Sequence, residues 1–223
     1  MIVSASEKRE KALRFSSGTV ALAVSGLLVK FLGMVYKIPL TNLLGDEGMG
    51  YFNAAYTVYT LFFVIATSGL PVALSLLVSE SVAKGDERAA GKLYQTAARL
   101  FLTVGFFGML LMALPARRLA RLLGADNAAA GILAVSPTLL FMTYAGALRG
   151  YFQGRRRMVP IALSQVLEAG GKFLFGLLFA SLALSVDAFA HAAIAAAMMM
   201  YGMSLCVFFI FSFRIAYKDN QNE

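Results

Sequence analysis

Lys30 and Lys37 interrupt one otherwise apolar stretch of this sequence, and Gln165, Glu168 and Lys172 interrupt another. Gly26, Lys30, Gly33 and Lys37 recur at intervals of four, three and four, so on a helix they form one stripe with room beside each ammonium group. Gln165, Glu168 and Lys172 are spaced three and four, and a Glu four residues ahead of a Lys is the favourable order for a helical ion pair. Charges placed this way in an apolar segment face a cavity or a partner. They equally suit a self-neutralising pair that only holds helices together. Asn53, Thr57, Thr60 and Thr67 make a third stripe beside Tyr56 and Tyr59. Its amide, hydroxyl and phenol groups fit sugar hydroxyls and phosphate oxygens, and also ordinary interhelical hydrogen bonds. No Ser/His/Asp set, phosphate loop or metal-ligand cluster is present, so no enzyme activity, cofactor or metal is expected. His191 reads as a packing residue rather than a proton relay, and the single Cys206 offers no disulfide framework or CxxC metal site.

These side chains are carried by six apolar stretches, 16–44, 51–82, 89–115, 128–153, 158–185 and 188–216. Each exceeds the ~20 residues that a helix needs to cross ~30 Å of hydrocarbon. With 59% hydrophobic and 14% charged residues, the chain has more apolar surface than a soluble core of this size hides. Backbone groups in lipid must pair within their own segment, which makes the spans helices. The expected fold is an all-α membrane protein of six transmembrane helices. Residues 1–15 form a cytoplasmic segment, 16–216 the membrane lobe and 217–223 a cytoplasmic tail. Pro39 and Pro71 each remove a helical hydrogen bond and predict kinks. Gly146, Gly150 and Gly154 form a small-residue stripe that lets another helix approach.

The net charge of +8 does not point to nucleic acid, because the basic residues flank spans rather than forming a soluble face. If six helices alternate, Lys8, Arg9, Lys11, Arg14, Lys84, Arg88, Lys92, Arg155, Arg156, Arg157, Arg214 and Lys218 fall on one side. Only Arg117, Arg118 and Arg121 fall on the other, with the acidic turn at Asp46 and Glu47. Twelve basic residues against three place both termini in the cytoplasm of a multi-pass cell-membrane protein. Leu119, Leu122 and Leu123 interleave the three dissenting arginines, which fits either a short helix on the outer headgroups or a solvated loop.

Several segments resemble a known family. They are Gly26 to Gly33 with Lys30 inside it, Tyr36-Lys37-Ile38-Pro39-Leu40-Thr41-Asn42-Leu43-Leu44-Gly45, Glu47-Gly48-Met49-Gly50, and Thr67-Ser68-Gly69-Leu70-Pro71-Val72-Ala73. Arg149-Gly150-Tyr151-Phe152-Gln153-Gly154 and Met158-Val159-Pro160-Ile161-Ala162, ahead of Ser164, Gln165 and Glu168, complete the set. Taken in order they resemble polysaccharide transporters of the stage V sporulation protein B type. That type sits in the exporter superfamily of lipid II flippases, O-antigen flippases and multidrug extruders. The resemblance implies two pseudo-symmetric six-helix lobes around a cavity, the stretch here being the amino-terminal one. It implies flipping of a polyprenyl-diphosphate-linked saccharide for cell-wall or polysaccharide synthesis, with membrane lipid and a second lobe as partners. Lys30 stands where such flippases hold the substrate diphosphate, and Lys37 lies within one residue of another such position. Asn53, Tyr56, Thr57, Glu168 and Lys172 complete the expected binding set. A multidrug or cation antiporter lobe, and a shortened remnant that does not transport, are the competing readings.

Overall fold

The computed structural model describes residues 5–185, nearly all of them helical. The first element, α1, spans Ala5–Thr67, and its one non-helical residue is Gly45, at φ 68° and ψ 179°. That combination is open essentially to glycine alone, because a Cβ would collide with the neighbouring backbone. The chain folds back there. Tyr36 and Tyr56 would lie about 30 Å apart on a straight helix. Both rings instead lie within 6 Å of the Lys172 ammonium, at 5.5 and 5.8 Å to their centroids. The helix runs through Pro39 with helical dihedrals, so the departure falls at Gly45 rather than at the proline.

α2 (Leu70–Ala83) follows after a second break. A kink at Pro71 was the expectation for this span. A full interruption stands there: α1 ends at Thr67, Gly69 takes φ 75°, and Pro71 sits in the first turn of α2. The physical reason is that proline fits the start of a helix, where its missing N–H costs nothing, once a glycine lets the preceding turn end. α3 (Glu87–Ala113) begins at Asp86, whose side chain accepts a hydrogen bond from the Ala89 N–H at 2.8 Å. α4 (Ala116–Leu122), a short 3₁₀ turn at Asp126–Ala128, α5 (Ala129–Gly154) and α6 (Met158–Ser185) complete the described chain.

Among the described residues, four stretches are long and apolar enough to cross a membrane, and the first, Val20–Ala83, contains two of the expected spans. Five expected spans are thereby present. The sixth, 188–216, lies outside the described residues, with His191 and Cys206 in it. The segment around Arg117 is a helix, not a loop.

Packing divides the helices into two groups. α2, α3 and α5 form a tight bundle, whereas α6 lies chiefly along α1. The glycine stripe of α5 makes the bundle possible. A Cβ at Gly150 would stand 2.7 Å from the Pro71 carbonyl oxygen, and one at Gly154 would stand 2.7 Å from that of Ser75. The main core joins both limbs of α1 to α3, α4 and α5 through Leu40, Tyr59, Met112, Ala120, Ile132 and Leu139. The chain ends of the spans segregate as alternation requires. Arg155 Nη2 lies 2.9 Å from Glu87 Oε2 at one end of the bundle. At the other, Tyr51 donates to Glu47 at 2.6 Å and accepts from Asn127 at 3.2 Å.

Candidate functional site: a cationic cleft between the two helix groups

Where α1 and α6 diverge from α5 a cleft of about 330 Å³ opens, lined by Gly26, Lys30, Gly33, Arg149, Gln165, Glu168 and Lys172, among others. The glycines act as foreseen: nothing lies within 4 Å of where a Cβ of Gly26 or Gly33 would be, and Lys30 is exposed between them. Leu27, Phe31, Met34 and Ile38, on the adjoining stripe of α1, are 61–69% exposed. No other described helix of this chain covers that side. The lower limb of α1 is anchored to α6 instead, where the Ser25 hydroxyl sits 3.3 Å from Gln165 Oε1.

Glu168 has a partner that sequence spacing did not supply. Arg149 Nη2 donates to its Oε2 at 2.7 Å, with 24% and 20% of the two side chains exposed. Arg149 belongs to α5, so this pair ties α6 to the three-helix bundle across a sparse contact. Axial depth explains why it was missed. Arg149 lies roughly 7 Å from the end of α5 and Glu168 roughly 15 Å from the start of α6, counted at the helical rise. A long arginine side chain spans that difference. The signal available beforehand was a lone guanidinium within the apolar pattern of α5, flanked by Gly146 and Gly150.

Lys172 projects between two aromatic rings, those of Tyr36 and Tyr56, at cation–π distance. It also lines a second cleft, of about 150 Å³, together with Lys37, Phe52, Asn53 and Tyr56. Lys172, Gly33 and Tyr36 are common to both clefts, so these two openings adjoin. Tyr36 itself is 5% exposed; its hydroxyl, packed towards Gly176, has no hydrogen-bond partner among the described residues. Tyr56 is 38% exposed, and its ring is stacked nearly parallel to that of Phe52.

The threonine stripe behaves differently from expectation. Thr57, Thr60 and Thr67 each donate to the carbonyl four residues back in their own helix, to Asn53, Tyr56 and Phe63 respectively. The interhelical bonds foreseen for them are replaced by bonds within the helix, which cost no second helix its register. Thr57 is not among the residues that line either cleft. Of the seven expected binding residues, the structure thus gathers Lys30, Glu168 and Lys172 in one cleft and Lys37, Asn53, Tyr56 and Lys172 in the next, and leaves Thr57 apart. Among the described residues, no group of three His, Cys, Asp or Glu side chains could hold a metal ion.

Several apolar helices long enough to cross a membrane make this a multi-pass membrane protein, and solved structures share the fold. The chain superposes with a TM-score of 0.73 on the crystal structure of MATE in complex with MaD3S, at 16% identity, covering 89% of this chain and 45% of that one. A MOP superfamily transporter from Pyrococcus furiosus gives 0.71 at 17% identity, covering 89% and 44%. Residues 15–222 match the family described as polysaccharide biosynthesis protein, and the chain belongs to that family. Among its relatives, the lipid II flippase MurJ of Bacillus subtilis is 34% identical over 167 residues, which is 71% of this chain and 31% of MurJ. Stage V sporulation protein B of the same organism is 32% identical over 156 residues, 69% of this chain and 30% of that protein. The chain therefore spans about a third of the length of these relatives.

Proposed function

We propose that this chain supplies one lobe of a flippase that carries polyprenyl-diphosphate-linked saccharides across the cell membrane for cell-wall or polysaccharide synthesis. In this reading residues 16–216 form a six-helix lobe, with the segments 1–15 and 217–223 in the cytoplasm. The single observation that carries it is the charge of the larger cleft. Three cations, Lys30, Arg149 and Lys172, face one carboxylate, Glu168. Glu168 is held by Arg149, which leaves an excess of two positive charges in an apolar setting. A diphosphate diester carries two negative charges, so the cleft and the ligand compensate each other where neither is comfortable alone. The adjoining cleft offers the exposed ring of Tyr56, the amide of Asn53 and the ammonium of Lys37 to a sugar. About 330 Å³ lies at the small end of ligand pockets. It suits the charged linkage rather than a whole glycolipid, whose tail remains in lipid. The open stripe on α1 is where a second lobe, from another chain or a second copy, completes the cavity.

A cation antiporter would instead need an excess of carboxylate, and the cleft has the opposite sign. The name of one relative, a lipid II flippase, agrees with the anionic reading. The experiment is flipping of a lipid-linked saccharide in vesicles holding this chain and its second lobe. Lys30→Glu removes the charge excess and is expected to abolish transport, while Lys30→Arg retains part of it. Undiminished flipping by Lys30→Glu at normal expression overturns the site.

A further inference from the structure

We propose that α4 and its flanking turns form a seat for the headgroup of an anionic phospholipid, in the leaflet at the Asp46 end of the bundle. The inference is independent of what the cleft carries. α4 is fixed to the protein by one face only: Ala116 and Ala120 are 2% and 0% exposed and belong to the main core. Its remaining surface presents Arg117, Arg118 and Arg121, all exposed. Among the described residues, no carboxylate pairs with any of the three. Leucines stand beside them. Leu114 is 82% exposed, Leu122 83% and Leu123 47%.

Neither bulk solvent suits this surface. Water leaves three large apolar side chains uncovered, and hydrocarbon leaves three guanidinium groups unsolvated. The boundary between acyl chains and phosphates satisfies both, with leucine towards the chains and arginine towards the headgroups. The position agrees. α3 leaves the apolar layer at Ala113, α5 enters it after Asp126, and the Tyr51–Glu47–Asn127 contacts lie at the same end. Charge selects the occupant. Guanidinium groups pair with phosphate oxygens in a two-pronged geometry. A zwitterionic headgroup carries its own ammonium to compete for that phosphate, whereas phosphatidylglycerol does not. The same cluster is the exception to the basic bias of the opposite end, and a bound anionic lipid gives it a reason to exist there.

The sequence contains no tryptophan, which permits a local reporter. Leu122→Trp places one beside Arg118 and Arg121. The full chain carrying it is reconstituted in mixed vesicles of phosphatidylglycerol and phosphatidylcholine, with one or the other lipid brominated as quencher. Brominated phosphatidylglycerol is expected to quench more strongly at equal mole fraction, each arginine adding roughly five-fold to local preference. Adding Arg117→Gln, Arg118→Gln and Arg121→Gln together should equalise the two lipids. Arg118→Glu alone should weaken the preference, which guards against a triple variant that fails to fold. Excess inorganic phosphate should leave the wild-type preference in place. Equal quenching by the two lipids with all three arginines present overturns the proposal. So does no quenching by either, unchanged preference in both arginine variants, or displacement by phosphate.

Discussion

Arg149 of α5 and Glu168 of α6 meet at 2.7 Å across the seam between the three-helix bundle and the α1–α6 pair. Direct contact between α5 and α6 is otherwise sparse, so the ion pair both joins these two helices and sets the charge of the cleft. Losing one partner of such a pair costs 3–5 kcal/mol when burial is complete. Here a fifth or more of each side chain is exposed, so Arg149→Met should cost about 2 kcal/mol. Arg149→Met combined with Glu168→Leu should recover most of it. Thermal unfolding in detergent measures both. A double variant no more stable than the single one would show that the charges do more than neutralise each other.

The fold of α1 depends on Gly45 through its backbone alone, since nothing lies within 4 Å of a Cβ placed there. Gly45→Ala should therefore destabilise by about 1–3 kcal/mol, the strain of a Cβ at those dihedrals. Gly50 is equally open but helical, and Gly50→Ala should be neutral or stabilising by about 0.5 kcal/mol. Similar unfolding midpoints for the two variants would argue against the sharp return at Gly45.

Gly150 is the opposite case, where the obstacle is a neighbouring helix. Its Cβ would stand 2.7 Å from the Pro71 oxygen, a backbone atom that moves only with α2. Gly150→Ala should cost about 1–3 kcal/mol through overpacking. Gly170→Ala on α6, with open space around it, is the matched control. A tolerated Gly150→Ala would mean that α2 does not press on α5 as closely as described.

Topology is open to labelling in a Cys206→Ser background. A cysteine replacing Asp46 should react with an impermeant reagent from outside the cell, and one replacing Arg156 should not, as the basic bias requires. The reverse pattern would invert the proposed orientation.

Sequence periodicity reached the helices more fully than the site. The expected limits 158–185 coincide with α6, and 128–153 differs by one residue at each end from α5, because charged or glycine-rich turns punctuate the apolar runs. The pattern of 51–82 predicts one kinked helix. Apolar pattern alone does not distinguish a proline inside a helix from one that starts the next, and the φ of Gly69 decides it. Lys30, Glu168 and Lys172 are legible as charges on two helical stripes, and one cleft holds them. Arg149 was overlooked as a cleft residue because its contact to Glu168 joins separate helices, and helical spacing within one segment says nothing about that. Thr57 illustrates the converse: its stripe was legible, yet the hydroxyl bonds to its own helix.

The return at Gly45 takes one residue, with helix on both sides of it and no slack. One residue inserted between Gly45 and Tyr51 would turn the following limb by about 100° and lift it by 1.5 Å relative to the first. Tyr56 would swing away from Lys172 and Asn53 would leave its cleft, although every side chain remained in place in the sequence. The 84–86 connection joins separate helices through a solvent-exposed turn and carries no cleft residue, so a length change there has no comparable lever. Epitope tags and natural insertions should therefore be admitted at 84–86 and refused at 45–50, making chain length at that first turn as much a determinant of the site as any residue that lines it.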